Sequence, residues 1–295
     1  MKKIIFLSLL LVINLSYAEK LKVVASFSIL GDIVKNIGKD KIDVITIVGN
    51  NQDVHSYEIK PSDLQKFNAS KILFINGLGL EAGWINKIIK SYKGGVVTAS
   101  DGIKPLYGKN QKYKIDSHAW NDPVLVETVY IQNILNGLIK IDPSNKEYYI
   151  KNAANYSTQI NKLNKWADNQ FKQILEKDRY AVTTHDAFNY FAKRYKISFI
   201  TAQGVSTDSD ASAKDIVDLE TMIRKNSIKV VFLENMTNNN LIKQIAKDTS
   251  ATIGGKLYSD ALSEVNEPAN NYLNMIKYNI NTIISTYLKK TYLQK

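Results

Sequence analysis

Between Pro143 and Lys177 the chain carries neither a glycine nor a second proline. Tyr149, Ala153, Tyr156, Ile160, Leu163, Ala167, Phe171 and Ile174 recur there at three- and four-residue steps. That spacing puts one apolar stripe along a helix and predicts a single amphipathic helix of about nine turns over residues 143–178. A break near Asn164 would split it in two. Few globular helices are so long, so an unbroken one must run the height of the molecule and join two halves. These are residues 19–142 before it and 179–295 after it.

Both flanks alternate strand-like and helix-like segments. In the first, strands are expected at Leu21–Ala25, Ile42–Val48, Lys71–Ile75 and Gly94–Val97. Between them come a helix bearing Leu30, Ile33, Val34 and Ile37, one opening at Pro61 and one over Glu81–Lys90. In the second, strands at Tyr180–Thr183, Ile197–Thr201 and Ile228–Leu233 alternate with helices at His185–Tyr195, Ala211–Lys225 and Asn239–Asp248, and a last helix covers Pro268–Lys290. Such alternation argues for βαβ units and mainly parallel sheets flanked by helices. The expected fold is therefore α/β, with two lobes joined by one long rigid helix. No repeat of fixed period is present.

The N-terminus sets the compartment. Lys2 and Lys3 precede an apolar run, Ile4–Leu15, and Ser16-Tyr17-Ala18 offers a small-residue cleavage site before Glu19. This is the layout of a cleaved signal peptide over residues 1–18. No later stretch reads as long and apolar enough to span a bilayer. The absence of cysteine excludes disulfides, thiolate metal sites and a lipid-modified N-terminal cysteine. An untethered exported protein is expected in a Gram-negative periplasm.

Loss of Lys2 and Lys3 lowers the formal net charge from +11 to +9. Arginine is confined to Arg179, Arg194 and Arg224, and the lysines are spread along the whole chain. Nucleic-acid recognition favours clustered arginine forks, so the charge reads as solubility and no nucleic-acid partner is expected.

Chemistry concentrates at the three histidines. His55 lies in Asn51-Gln-Asp-Val-His-Ser-Tyr-Glu58, His118 in Asp116-Ser-His-Ala-Trp-Asn-Asp-Pro123, and His185 in Thr183-Thr-His-Asp-Ala-Phe188. Each sits at a strand–helix junction or in a turn-rich loop, and in open α/β sheets ligands bind beyond the carboxyl ends of strands. Singly, a loop histidine is more often a solvated residue than a ligand. Converging imidazoles suit a divalent transition metal, and Asp260, in Leu257-Tyr-Ser-Asp-Ala-Leu262, occupies the matching junction of the second half.

These segments resemble the solute-binding proteins of zinc and manganese ABC importers, the cluster A-I or cluster 9 family. Asp53-Val-His55-Ser-Tyr-Glu58 with Pro61-Ser-Asp63 is similar to the first ligand loop of that family, and Asn76-Gly-Leu-Gly-Leu-Glu81 with Trp84 to the segment after it. Asp116 to Pro123 resembles the second motif, with Ser117 where proline is usual, and His185-Asp-Ala-Phe-Asn-Tyr-Phe191 the third. Gly204-Val-Ser-Thr207, Leu257 to Leu262 and Asn271 to Asn279 resemble the C-terminal stretch. The likeness runs in order from about residue 21 to residue 290.

What it implies is a metal held between the lobes by His55, His118, His185 and Asp260, carried as cargo to an inner-membrane ABC permease by a monomer. Histidine at the third position points to Zn2+. Asp260 is shared with the manganese-type branch, and Gly108–Ile115 is short and basic where zinc-dedicated members carry a loop rich in histidine and acids. Zn2+ is placed slightly ahead of Mn2+, since nitrogen-rich sites follow the usual divalent order. A free imidazole titrates near pH 6.5, so affinity is expected to fall steeply below about pH 6. The alternatives are an exported metallohydrolase on the same residues, which no HExxH helix supports, and an adhesin-like surface protein with an incidental metal. No catalytic residue is assigned.

Overall fold

The computed structural model describes residues 19–108, 114–208 and 210–293. The signal-peptide expectation for residues 1–18 and the middle of the 108–115 loop lie outside the described residues.

The first half is a four-stranded parallel sheet in the order β2-β1-β3-β4, formed by β1 (Leu21–Phe27), β2 (Ile42–Val48), β3 (Ile72–Ile75) and β4 (Gly95–Thr98). Val23 pairs with Val44 on one side and Ile72 on the other. From Val23 to Phe27 every residue of β1 is buried, as a central parallel strand covered on both faces requires. Helices α1 (Ser28–Gly38), α2 (Pro61–Asn68) and α3 (Ile85–Ile89) connect these strands.

After β4 comes a helix that the sequence reading did not anticipate, α4 (Pro123–Ile141), with a π-turn at Val126–Tyr130. Contrary to expectation, it is long and apolar enough to cross a membrane by length and composition. Its apolar side has another use here. Ile131, Ile134, Leu135 and Leu138 are buried, and Gly137 lets the helix backbone approach Val97 and Phe74.

The long helix α5 (Lys146–Phe171) runs unbroken through Asn164 and buries Tyr149, Ala153, Tyr156, Ile160, Ala167 and Phe171 on one face. It packs on α1 and α4 of the first half and on the C-terminal helix α9 (Tyr272–Leu293). It is shorter than the expected 143–178 because Arg179 stops it. That buried guanidinium donates to the carbonyls of Phe171 and Ile174, which a continuing helix would have used, and to that of Tyr195. Replacing Arg179 by Met should cost about 3 kcal/mol of stability, since three buried acceptors lose their donor together. Arg179 sits before the next strand, at the end remote from His185, so urea melts should shift while metal affinity stays unchanged.

The second half holds two parallel pairs, β5 (Tyr180–Thr183) with β6 (Ser198–Thr201) and β7 (Val230–Glu234) with β8 (Thr252–Leu257), and β5 lies beside β7. Helices α6 (Asn189–Tyr195), α7 (Ala213–Lys225) and α8 (Asn240–Thr249) cover them. The capping box that opens α7 is Ser212 with Asp215. The helix expected from His185 begins only at Asn189, because the intervening amides are engaged elsewhere. Those of Thr184 and His185 donate to Glu234, and that of Asp186 to the Gly204 carbonyl. Similarly α9 starts at Tyr272 and not Pro268, where Asp32 of α1 accepts the Tyr272 amide. The architecture is α/β with parallel sheets flanked by helices and one long helix.

Candidate metal centre

All four expected residues follow strands at their carboxyl ends. His55 lies in the loop from β2 to α2, and His118 after β4 at the turn into α4. His185 lies just past β5, and Asp260 just past β8. The structure brings them together: one ligand atom from each lies within 4.8 Å of all the others. His55 Nε2 is 3.2 Å from His118 Nε2 and 3.4 Å from Asp260 Oδ2. Asp260 Oδ1 is 3.3 Å from His118 Nε2, and its Oδ2 is 3.1 Å from His185 Nε2. Donors bound at about 2.0–2.1 Å around a tetrahedral ion stand roughly 3.4 Å apart. The spacing fits a single ion. Both oxygens of Asp260 face the cluster, so the carboxylate can bind through one or through both.

Ring orientation is set by neighbouring carboxylates. Asp116 Oδ1 lies 2.7 Å from His118 Nδ1 and accepts the His118 backbone amide. Glu234 Oε2 lies 2.7 Å from His185 Nδ1, while its Oε1 accepts the amides of Thr184 and His185. Ser259 donates to Glu234 from the Asp260 loop. A carboxylate on Nδ1 keeps the proton there and leaves the Nε2 lone pair for the metal. Glu234 therefore orients His185. Asp122 has no such role: it accepts from Arg194 and caps α4 at Val124.

Asp116 was missed as an orienting group, although a local signal existed. Asp53-Val-His55 and Asp116-Ser-His118 share the spacing D-x-H, and in both the carboxylate accepts the amide of the histidine two residues on. Trp120 walls the site, its ring centroid 5.1 Å from that of His118 and its indole N–H on the Ser259 carbonyl.

His118, His185, Asp260, Asp116 and Glu234 are fully buried. With neutral imidazoles, three carboxylates would share this pocket uncompensated, a costly arrangement away from water. The metal-free protein compensates with protons. Burial pushes the His118 imidazolium down, but the Asp260 charge and the Asp116 contact outweigh it and hold the ring up to about 9. Burial opposes His185 likewise, yet Glu234 and Asp260 raise it well above the ordinary value. Burial also pushes the Asp260 carboxyl up, but the His118 and His185 charges hold it well below the usual carboxylate range. A divalent cation can take the place of these protons.

Access lies on the His55 side. His55 keeps slight exposure and opens on a hollow of about 360 Å3 that Gly79, Gly83, Ser117, Val205 and Asp208 also line.

Comparison with known proteins places the chain among metal-importer binding proteins. The manganese ABC transporter substrate-binding lipoprotein PsaA of Streptococcus anginosus is 34% identical over 274 residues, which cover 90% of this chain and 88% of that one. The metal ABC transporter substrate-binding lipoprotein SsaB of Streptococcus sanguinis is 35% identical over 304 residues, covering 96% and 98%. Among solved structures, a Mn-bound periplasmic metal binding protein from Candidatus Liberibacter asiaticus superposes with a TM-score of 0.83 at 30% identity, covering 90% of this chain and 99% of that one. The periplasmic zinc binding protein TroA of Treponema pallidum gives 0.86 at 26% identity, covering 91% and 99%. The profile of the family described as zinc-uptake complex component A, periplasmic, matches residues 23–286, nearly all of the described chain. On that match, and on relatives alike over almost their whole length, the chain belongs to this family of metal-importer solute-binding proteins.

Proposed function

We propose that His55, His118, His185 and Asp260 together hold one divalent transition-metal ion as cargo. The protein is the substrate-binding component of a metal ABC importer, and its ligand is handed to a membrane permease. The observation that carries the four-ligand reading is the convergence of three Nε2 atoms and one carboxylate within 4.8 Å in a buried pocket. The lobes that close on the ion are residues 19–142 and 179–295, linked through 143–178. The mature chain begins at Glu19 and acts as a periplasmic monomer.

Zinc is placed ahead of manganese. Three imidazoles make a nitrogen-rich site, which favours zinc in direct competition, and the Asp260 carboxylate can also serve manganese by binding through both oxygens. The site does not suit hydrolysis. Four protein ligands leave no open position for water. Glu234, the carboxylate beside the ring of His185, is engaged by that ring, by Ser259 and by two amides, and is not free to act as a general base.

Elemental analysis after purification from metal-replete medium should find close to one transition-metal equivalent per chain. Chelator competition with Zn2+ and Mn2+ in turn should rank zinc the tighter. Two tightly held equivalents, or none, would overturn the single four-ligand site.

A further inference from the structure

The segment Gly204-Val-Ser-Thr207 takes no part in the four-ligand set, yet it spans two of the ligand loops. At one end the Gly204 carbonyl accepts the amide of Asp186, the residue after His185, at 3.0 Å. At the other end the Thr207 hydroxyl donates to Asp53 Oδ2 at 2.6 Å. The second oxygen of that carboxylate, Oδ1, accepts the His55 amide at 2.9 Å. One carboxylate thus couples the backbone of a ligand in the first half to a hydroxyl of the second half. Between these ends Val205 is buried and lies against Gly108, close enough that a Cβ there would meet its methyl at 2.9 Å. Val205 also lines the hollow onto which His55 opens.

The loop of His55 is held to the second half from this side as well. The Asn51 amide donates to the Leu262 carbonyl, and Asn235 donates to the Asn51 side chain. Leu262 and Asn235 belong to elements that carry Asp260 and Glu234. None of these contacts needs a metal to form. His118, by contrast, is fully buried and orientated within its own half by Asp116, and His185 by Glu234. The loop of His118 is tied to the second half too, through Trp120 to the Ser259 carbonyl, Asn121 to the Ala187 carbonyl and Tyr190 to the Asp116 carbonyl. What sets His55 apart is that it alone of the four ligands keeps some exposure, at the mouth.

We propose that Gly204–Thr207 is a strap across the mouth of the site, and that the Thr207–Asp53 hydrogen bond is its latch, holding His55 on the ion and setting the rate at which the cargo leaves. Asp53 and Thr207 are positioning residues, acting on the metal through His55. The proposal rests on the four-ligand reading above. Release is then slowed by this bond, because Asp53, held on one oxygen by Thr207, fixes the His55 backbone through the other and so restrains movement of the His55 loop away from the cluster. A hydrogen bond to a charged acceptor is the stronger kind, and its loss accelerates a step it restrains by about tenfold or more.

The test uses the full mature protein loaded with Zn2+, with release followed by stopped flow into excess chelator. Thr207→Val removes the hydroxyl while keeping the shape, and should speed release about tenfold. Thr207→Ser restores the hydroxyl and should release at close to the parent rate. Thr207 is partly buried and its bond forms without metal, so Thr207→Val should also lower the metal-free melting temperature while Thr207→Ser restores it, whereas a merely structural role would lower it without speeding release. Asp53→Ala should release at least as fast as Thr207→Val, and adding Thr207→Val to it should change nothing further, because the two substitutions break one interaction. Release by Thr207→Val at the parent rate overturns the latch, as does an additive double variant or a Thr207→Ser that behaves like valine. A parent protein that binds no Zn2+ overturns the four-ligand reading instead, and the latch with it.

Discussion

Replacing His118 by alanine should weaken Zn2+ binding by at least about 100-fold, the upper range for losing a group that merely orients a ligand. His118 is fully buried at the cluster, with Asp116 behind it, Trp120 beside it and both His55 Nε2 and Asp260 Oδ1 in front. On the proposed four-ligand set, its loss removes one of the four bonds to the ion. The β-sheets and α5 are not built on it, so the far-UV circular dichroism of the metal-free variant should match the parent. Its melting temperature should nevertheless fall, because Asp116 and Asp260 are buried and lose their shared partner. Stabilisation by added Zn2+ should shrink as well, since weaker binding to the native state gives a smaller linkage effect. Arg179→Met supplies the opposite pattern, a less stable fold with parent affinity. The decisive pair of measurements is a chelator competition titration and a metal-free melt on each variant. Native affinity in His118→Ala would remove His118 from the coordination sphere.

A second large effect is expected with pH, and the structure moves its window. A free imidazole places the loss of affinity below about pH 6. Here the metal-free protein holds His118 up to about 9, so that ring carries a proton at neutral pH, and the Glu234 and Asp260 charges shift His185 in the same direction. Each must deprotonate to bind. The ion therefore displaces at least the His118 proton at pH 7, and affinity should rise by at least about tenfold per pH unit between roughly pH 7 and 8.5. Titration calorimetry in buffers of different ionisation enthalpy counts the protons directly. Release of no proton at pH 7 would contradict the buried proton-loaded site.

The same shift fixes the sign for the metal-free fold. A group whose folded pKa is raised adds stability that is fully present below its unfolded value, near 6.5 for histidine, and is lost as pH rises through its folded value. Metal-free protein should thus melt higher at pH 6 than at pH 9, while metal-bound protein should gain with rising pH over the same range. The two curves diverge because protons and metal compete for one set of lone pairs.

Much of this was open to reading in the chain itself. The strand–helix alternation, the long apolar stripe from Tyr149 to Phe171 and the placement of His55, His118, His185 and Asp260 at junctions all follow from local spacing. Spacing also records the D-x-H pairs, because an aspartate two residues before a histidine can take that histidine's amide without help from the rest of the fold. What spacing cannot record is competition for backbone partners. The long helix stops at Phe171 because Arg179 returns from eight residues downstream to take its carbonyls. The helix expected at His185 waits until Asn189 because Glu234, forty-nine residues away in sequence, holds the His185 amide. The apolar helix α4 could suit a membrane by composition, and the sheet beneath it decides otherwise.

The chemistry of the site divides in the same way. Residue identity by itself determined that any metal here would be bound by nitrogen and carboxylate, since the chain has no cysteine and three histidines. Tertiary structure alone decided the charge state. Asp116, Glu234 and Asp260 come from three distant segments, and only their burial together with two imidazoles shifts both rings toward the protonated form and holds His118 up to about 9. It also decided that Thr207 should reach Asp53 across 154 residues of sequence. The physical reason is common to both. Electrostatic coupling between charges depends on separation and on the exclusion of water, and neither quantity exists until the two halves of the chain have closed on each other.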